Sequence, residues 1–181
     1  MDKQNYDDII KNKTNDYYSS NSKNRIFKNK QKLELAKTIS NSIDLNNYLN
    51  DVIYIDQNNP EHIFVTYHKL KVIMHPDNFD FIVAHVDNLI LSILNNNNNN
   101  NIYYLHVDIF SLTISGVQRL KPFIERFLTS IFYDGTKTRV DTLEKIFIYN
   151  SPSVISTIRV MLEPLVKHLG VLEKVVYVKN K

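Results

Sequence analysis

Two residues on one short apolar run are the best polar candidates for a site. They are His106 and Asp108, in the stretch Ile102 to Phe110 (IYYLHVDIF). Residues two apart on a strand point to the same face, so the imidazole and the carboxylate share a side. A strand in a parallel sheet places its carboxyl end where α/β proteins hold ligands. Polar anchoring of a ligand, or a hydrogen-bonded strand end, is what such a pair offers. The other histidines, His62, His68, His75, His85 and His168, form no HExxH pattern or other pair at helical spacing. No third ligand stands beside His106 and Asp108, so no metal is expected. There are no cysteines, which removes disulfides, zinc–thiolate sites and a cysteine nucleophile. Only three glycines occur, Gly116, Gly135 and Gly170, and they compose neither GxGxxG nor a Walker pattern. Phosphate loops need such glycines for close backbone approach, so no nucleotide cofactor is expected. A GxSxG elbow is absent as well. These exclusions point to a protein without enzymatic activity and without a cofactor.

The elements that must position this pair alternate between strand and helix. Residues 52–55 (VIYI) and 62–67 (HIFVTY) are rich in β-branched and aromatic side chains, with a turn-like QNNP stretch between them. Residues 69–74 (KLKVIM) read as a further strand. Asp77 is placed to cap a helix whose apolar stripe runs through Phe79, Ile82, Val83, Val86, Leu89, Ile90 and Ile93. A run of seven asparagines, Asn95 to Asn101, reads as a loop inserted between helix and strand. The strand 102–110 is nearly continuous in apolar character, as expected when both faces are covered. Ser115 and Gln118 then make a capping box. The helix that follows carries Pro122, which either kinks it or marks a later start. Residues 133–141 read as a polar loop. Leu143–Tyr149 (LEKIFIY) is the next strand, Ser151–Pro152 a helix start, Gly170 a helix stop, and Leu172–Val178 (LEKVVYV) the last strand.

Two of these strands begin LEK and lie 29 residues apart, the length of one βα unit in a parallel sheet. The order β-β-α-β-α-β-α-β predicts an α/β fold: a mostly parallel sheet of about five strands covered by helices.

Upstream, residues 26–49 predict one or two amphipathic helices. Residues 1–25 are dominated by Asn, Lys, Asp, Ser and Tyr and are read as a disordered polar arm, leaving 26–181 as a single domain. Charge divides the same way. Residues 1–37 hold nine Lys/Arg and five Asp/Glu, while the remainder holds thirteen and fourteen, which accounts for the net +3. With the folded part near neutral, no nucleic-acid partner is expected. The N-terminus has no apolar signal region and no segment is long enough for a membrane helix, so the expected location is cytoplasmic.

Two stretches resemble CRAL-TRIO domains, the fold of phosphatidylinositol-transfer and retinal-binding proteins. His106-Val107-Asp108 through Ser115 is similar to the family's strand that ends in aspartate before a loop and helix start. Ser111 stands where the family usually has glycine. Ile146-Phe147-Ile148-Tyr149-Asn150-Ser151-Pro152, continuing to Glu163-Pro164-Leu165, is similar to its strand ending in Asn-small-Pro and the helix after it. The resemblance covers about 75 residues of the C-terminal half. It implies non-catalytic binding of a lipid or other small hydrophobic ligand. That ligand would rest on the sheet near Tyr104, His106, Asp108, Ile146, Ile148 and Asn150, with the basic arm giving peripheral contact with anionic membranes. The order of elements is shared by STAS domains, in which Ser115 would be the phosphorylated serine. The alternative is therefore a STAS-like or cavity-less module that binds a protein partner.

Overall fold

The computed structural model describes residues 5–23, 26–96, 101–132 and 138–178. Three helices come first: α1 (Tyr6–Ser20), α2 (Lys28–Ser40) and α3 (Leu45–Val52). An antiparallel hairpin follows, β1 (Ile53–Ile55) and β2 (His62–Thr66), closed by the short helix α4 (Tyr67–Leu70). Three crossovers then run α5 (Phe79–Asn96), β3 (Tyr103–Asp108), α6 (Ile114–Phe132), α7 (Thr138–Thr142), β4 (Leu143–Tyr149), α8 (Ile155–Val166) and β5 (Val175–Tyr177).

The five strands lie side by side in chain order, β2 through β5 parallel. Successive right-handed crossovers in one direction place their helices on the same side of a sheet. Burial follows from this. On the helix side Ile63, Leu105 and Ile146 pair in register and are 0, 5 and 7% exposed. They pack with Ile82, Val86 and Ile90 of α5 and with Leu120 and Ile131 of α6. The expectation of a central strand covered by helices on both faces therefore holds for one face only.

Several local expectations are corrected. The stretch read as a disordered arm carries α1. Its Asn5 side chain accepts from the Asp8 amide at 3.4 Å, with Asp7 and Asp8 in the first turn, where the helix dipole favours them. Tyr6 meets Tyr48 edge-on at 5.2 Å, and Tyr6 and Ile10 pack against the core. Tyrosines do here what the missing aliphatics could not.

Residues 69–74 are no strand. Leu70, Ile73 and Met74 are buried at a spacing of three and four, which a helical turn satisfies and an alternating strand does not. Asp77 does not cap α5. His75 and Asn78 form the capping pair, and Asp77 instead accepts from the Lys37 ammonium at 2.6 Å. At the start of α6 the cap is Thr113, whose hydroxyl accepts from the Gly116 amide at 3.1 Å, so Ser115 and Gln118 are not the box. Pro122 lies inside α6. Pro152 stands in the turn ahead of α8, which starts at Ile155. Residues 138–142 are helical rather than loop, while 133–137 lie outside the described residues. Asn95 and Asn96 finish α5, and 97–100 of the asparagine run also lie outside them. The last strand shortens to Val175–Tyr177 because Leu172–Lys174 form a 3-10 turn. Lys174 uses that turn to donate to the carbonyls of Val140 and Leu143.

Candidate functional site: an apolar cavity and an aromatic layer

Strand pleating sends alternate side chains to opposite faces, and this divides the expected site. Ile146 and Ile148 face the helices. Tyr104, His106 and Asp108 face the other way, and Asn150 stands at the end of β4. The six residues therefore do not share one face of the sheet.

On the helix side, an apolar cavity of about 210 Å³ lies between the sheet and α5, α6 and α8. Val65, Leu105 and Val107 form its floor, and Val86, Phe123, Phe127 and Leu162 lie among its other walls. Tyr67 is the one lining side chain with a polar atom. Gly116 lets that hydroxyl approach α6, since a Cβ there would sit 2.8 Å from it. An engineered apolar cavity of roughly 150 Å³ stays dry and accepts benzene. This one is suited to a ring or a single short chain. Sequence reasoning missed it, because individual apolar residues do not show where packing falls short.

The opposite face is a layer of rings. Phe64, His106, Phe147 and Val176 pair across four strands, and Tyr54 extends the row to β1. Phe64 stacks on His106 at 4.3 Å, and Phe147 stacks on it from the far side at 4.8 Å. His62 and Tyr104 stack in the neighbouring row at 4.5 Å. His106 is only 7% exposed beneath these rings, whereas Tyr54 and Val176 at the margins are 42 and 37% exposed.

Inside the layer His106 makes two polar contacts. Its Nε2 lies 2.7 Å from His62 Nδ1, and its Nδ1 lies 2.8 Å from the Tyr149 hydroxyl. A neutral imidazole donates at one nitrogen and accepts at the other, so Tyr149, His106 and His62 form a directional relay. Burial, and then the positive charge that His62 can carry, push the His106 pKa down to about 4. Burial also raises the Tyr149 pKa, which keeps the phenol protonated at neutral pH. The relay can pass a proton, and no Asp108 oxygen joins it. Among the described residues no group of three His, Cys, Asp or Glu side chains gathers to hold a metal.

Asp108 and Asn150 make a corner instead. Asp108 Oδ1 accepts from the Phe110 amide at 2.8 Å and from the Asn150 side-chain amide at 2.9 Å. Asn150 and Ser111 both have left-handed backbone, at φ 52° and 64°. Asn adopts that region more readily than most side chains, and glycine adopts it freely. Glycine would hold the Ser111 conformation at lower cost. Asn150→Ala removes both the tolerance and the bond, and we expect a loss of about 2 kcal/mol in urea unfolding, with Asn150→Gly costing about half as much.

The five-stranded, mostly parallel sheet with crossover helices on one side is an α/β architecture consistent with a CRAL-TRIO-like fold. In particular, the structure is similar to the crystal structure of Sfh5, with a TM-score of 0.57 and 16% sequence identity. The likeness covers 97% of this chain and 65% of the Sfh5 chain, and at that identity it speaks for the fold. No family model and no curated protein matches the sequence. No helix among the described residues is long and apolar enough to cross a membrane.

Proposed function

We propose that this chain is a non-catalytic binding domain that holds a small hydrophobic ligand, or the apolar end of a lipid, between its sheet and helices. The observation that carries this reading is the cavity of about 210 Å³, walled by aliphatic and aromatic side chains of the buried core. The CRAL-TRIO-like fold supports it, because the resemblance implies lipid binding. Each buried methylene contributes about 0.8 kcal/mol, so six of them supply about 5 kcal/mol of driving force before ordering costs. The proposed position, not the class of ligand, differs from the one first expected. Ile146 and Ile148 share its face of the sheet, while Tyr104 and His106 lie across the sheet from it.

Titration of the full chain with 1-octanol, followed by methyl NMR, tests this. Shifts should centre on Leu105, Val117 and Leu162 and saturate. Val117→Phe, which fills the space, should weaken binding at least tenfold. Should that variant fold poorly, Leu105→Ala enlarges the same space and should bind more octanol, not less. Absence of saturable shifts at these methyls would remove the reading.

The aromatic layer favours a second reading, an apolar partner lying on the opposite face. Tyr54 and Val176 leave its margin open. Octanol shifts confined to the Val176 methyls, with none at Leu105, Val117 or Leu162, would select this face.

A further inference from the structure

Three cations meet near one end of the cavity without an anion among them. Lys71 follows Leu70, and Arg119 precedes Leu120, both lining residues. Tyr67 links the groups, since it lines the cavity while the Lys71 ammonium lies 5.6 Å from its ring centre. Lys71 Nζ also donates to Ser111 Oγ at 2.6 Å. Lys32 of α2 completes the group, close enough to feel the charges of both Arg119 and Lys71. Among the described residues, no ion pair joins Lys32, Lys71 or Arg119 to a carboxylate. One Arg119 guanidinium nitrogen is sealed from solvent with no acceptor.

A buried guanidinium nitrogen without an acceptor is costly, and like charges brought together add to that cost. All three groups are pushed toward lower pKa, each first by burial. For Lys32 and Lys71 the Arg119 charge comes next. Proteins hold such clusters where an anion completes them, and the planar fork of arginine matches phosphate or carboxylate.

We propose that Lys32, Lys71 and Arg119, with the Ser111 hydroxyl, form a binding site for a phosphate or carboxylate group beside Tyr67 in the wall of the apolar cavity. The ligand class this defines is an anionic amphiphile, with its charged end on Arg119 and Lys71 and its short apolar end along Tyr67 into the cavity. That part rests on the cavity reading above; the anion site does not.

Three probes separate the two: inorganic phosphate, 1-octanol and octyl phosphate, each titrated into the full chain by calorimetry and NMR. Octyl phosphate should bind at least tenfold more tightly than octanol, and the advantage should shrink as salt rises. Arg119→Gln and Lys71→Gln should each remove most of that advantage and leave octanol affinity unchanged. Lys71 is half-buried and its ammonium bonds, among the described residues, only a serine hydroxyl, so its variant keeps the test sound if Arg119→Gln folds poorly. Phosphate binding without octanol binding would support the anion site as one for free phosphate and overturn the cavity reading. Equal affinity for octanol and octyl phosphate, or a phosphate preference that survives both substitutions, would overturn the anion site and leave the cavity standing.

Discussion

Tyr103→Ala should lower the free energy of unfolding by about 4 kcal/mol, in the range for deleting a large buried ring. Tyr103 begins β3, is 0% exposed, and pairs with Leu143 of β4, which is equally buried. Its hydroxyl donates to the Arg139 carbonyl at 3.4 Å and so reaches α7. Arg139 in turn donates to Asp87 of α5 through a partly buried ion pair. The ring thus lies where the sheet, α5 and α7 meet. Truncation leaves a void that these three elements cannot all close around. Tyr103→Phe keeps the packing and loses a long hydrogen bond, so it should cost about 1 kcal/mol or less. Urea unfolding of both variants at neutral pH checks the pair. Similar losses for the two would mean that the hydroxyl, not the ring, holds this junction.

Acidification should destabilise the fold between about pH 6.5 and pH 4, by about 2–3 kcal/mol from His106 alone. An imidazole ordinarily titrates near 6.5, and this one is held down to about 4 in the folded chain. In that interval the unfolded chain binds a proton that the folded chain refuses. Stability is therefore complete above pH 6.5 and is lost as the pH falls toward 4. His75 adds a contribution of the same sign, because burial lowers its pKa as well. Its Nε2 lies 2.8 Å from the Ser40 hydroxyl, in a contact that joins α2 to the start of α5. His106→Phe keeps the stack of rings and removes the titration. The variant should show a flatter profile of urea midpoint against pH than the parent chain. An unchanged slope would place the acid sensitivity elsewhere.

Much of the architecture was legible in the residues. Val, Ile, Phe and Tyr runs marked β1 through β4, and the spacing of the two LEK segments predicted parallel neighbours, as β4 and β5 are. What was not legible has physical causes. The run KLKVIM at 69–74 reads as a strand, but burial at 70, 73 and 74 is helical in spacing. The polar stretch before residue 26 looked too poor in aliphatics to order, yet an Asn5 cap and the Tyr6–Tyr48 contact support α1. The shared face of His106 and Asp108 was legible from strand period, and both do point away from the helices. Their partners were not, since His62, Tyr149 and Asn150 reach them only through strand pairing across more than 40 positions of chain. The cavity and the group of Lys32, Lys71 and Arg119 were invisible for the same reason. Each is assembled from elements far apart in sequence.

The sheet has a further property that follows from its outermost strands. Both β1 and β5 are three residues long, while the inner three run to five, six and seven. Unpaired backbone on a long, flat margin recruits foreign strands and seeds aggregation. Here the margin offers three rungs on either side, too few to register an intruding chain firmly. The exposed tyrosines and valine beside those rungs can remain greasy without making the molecule a template for its own polymerisation.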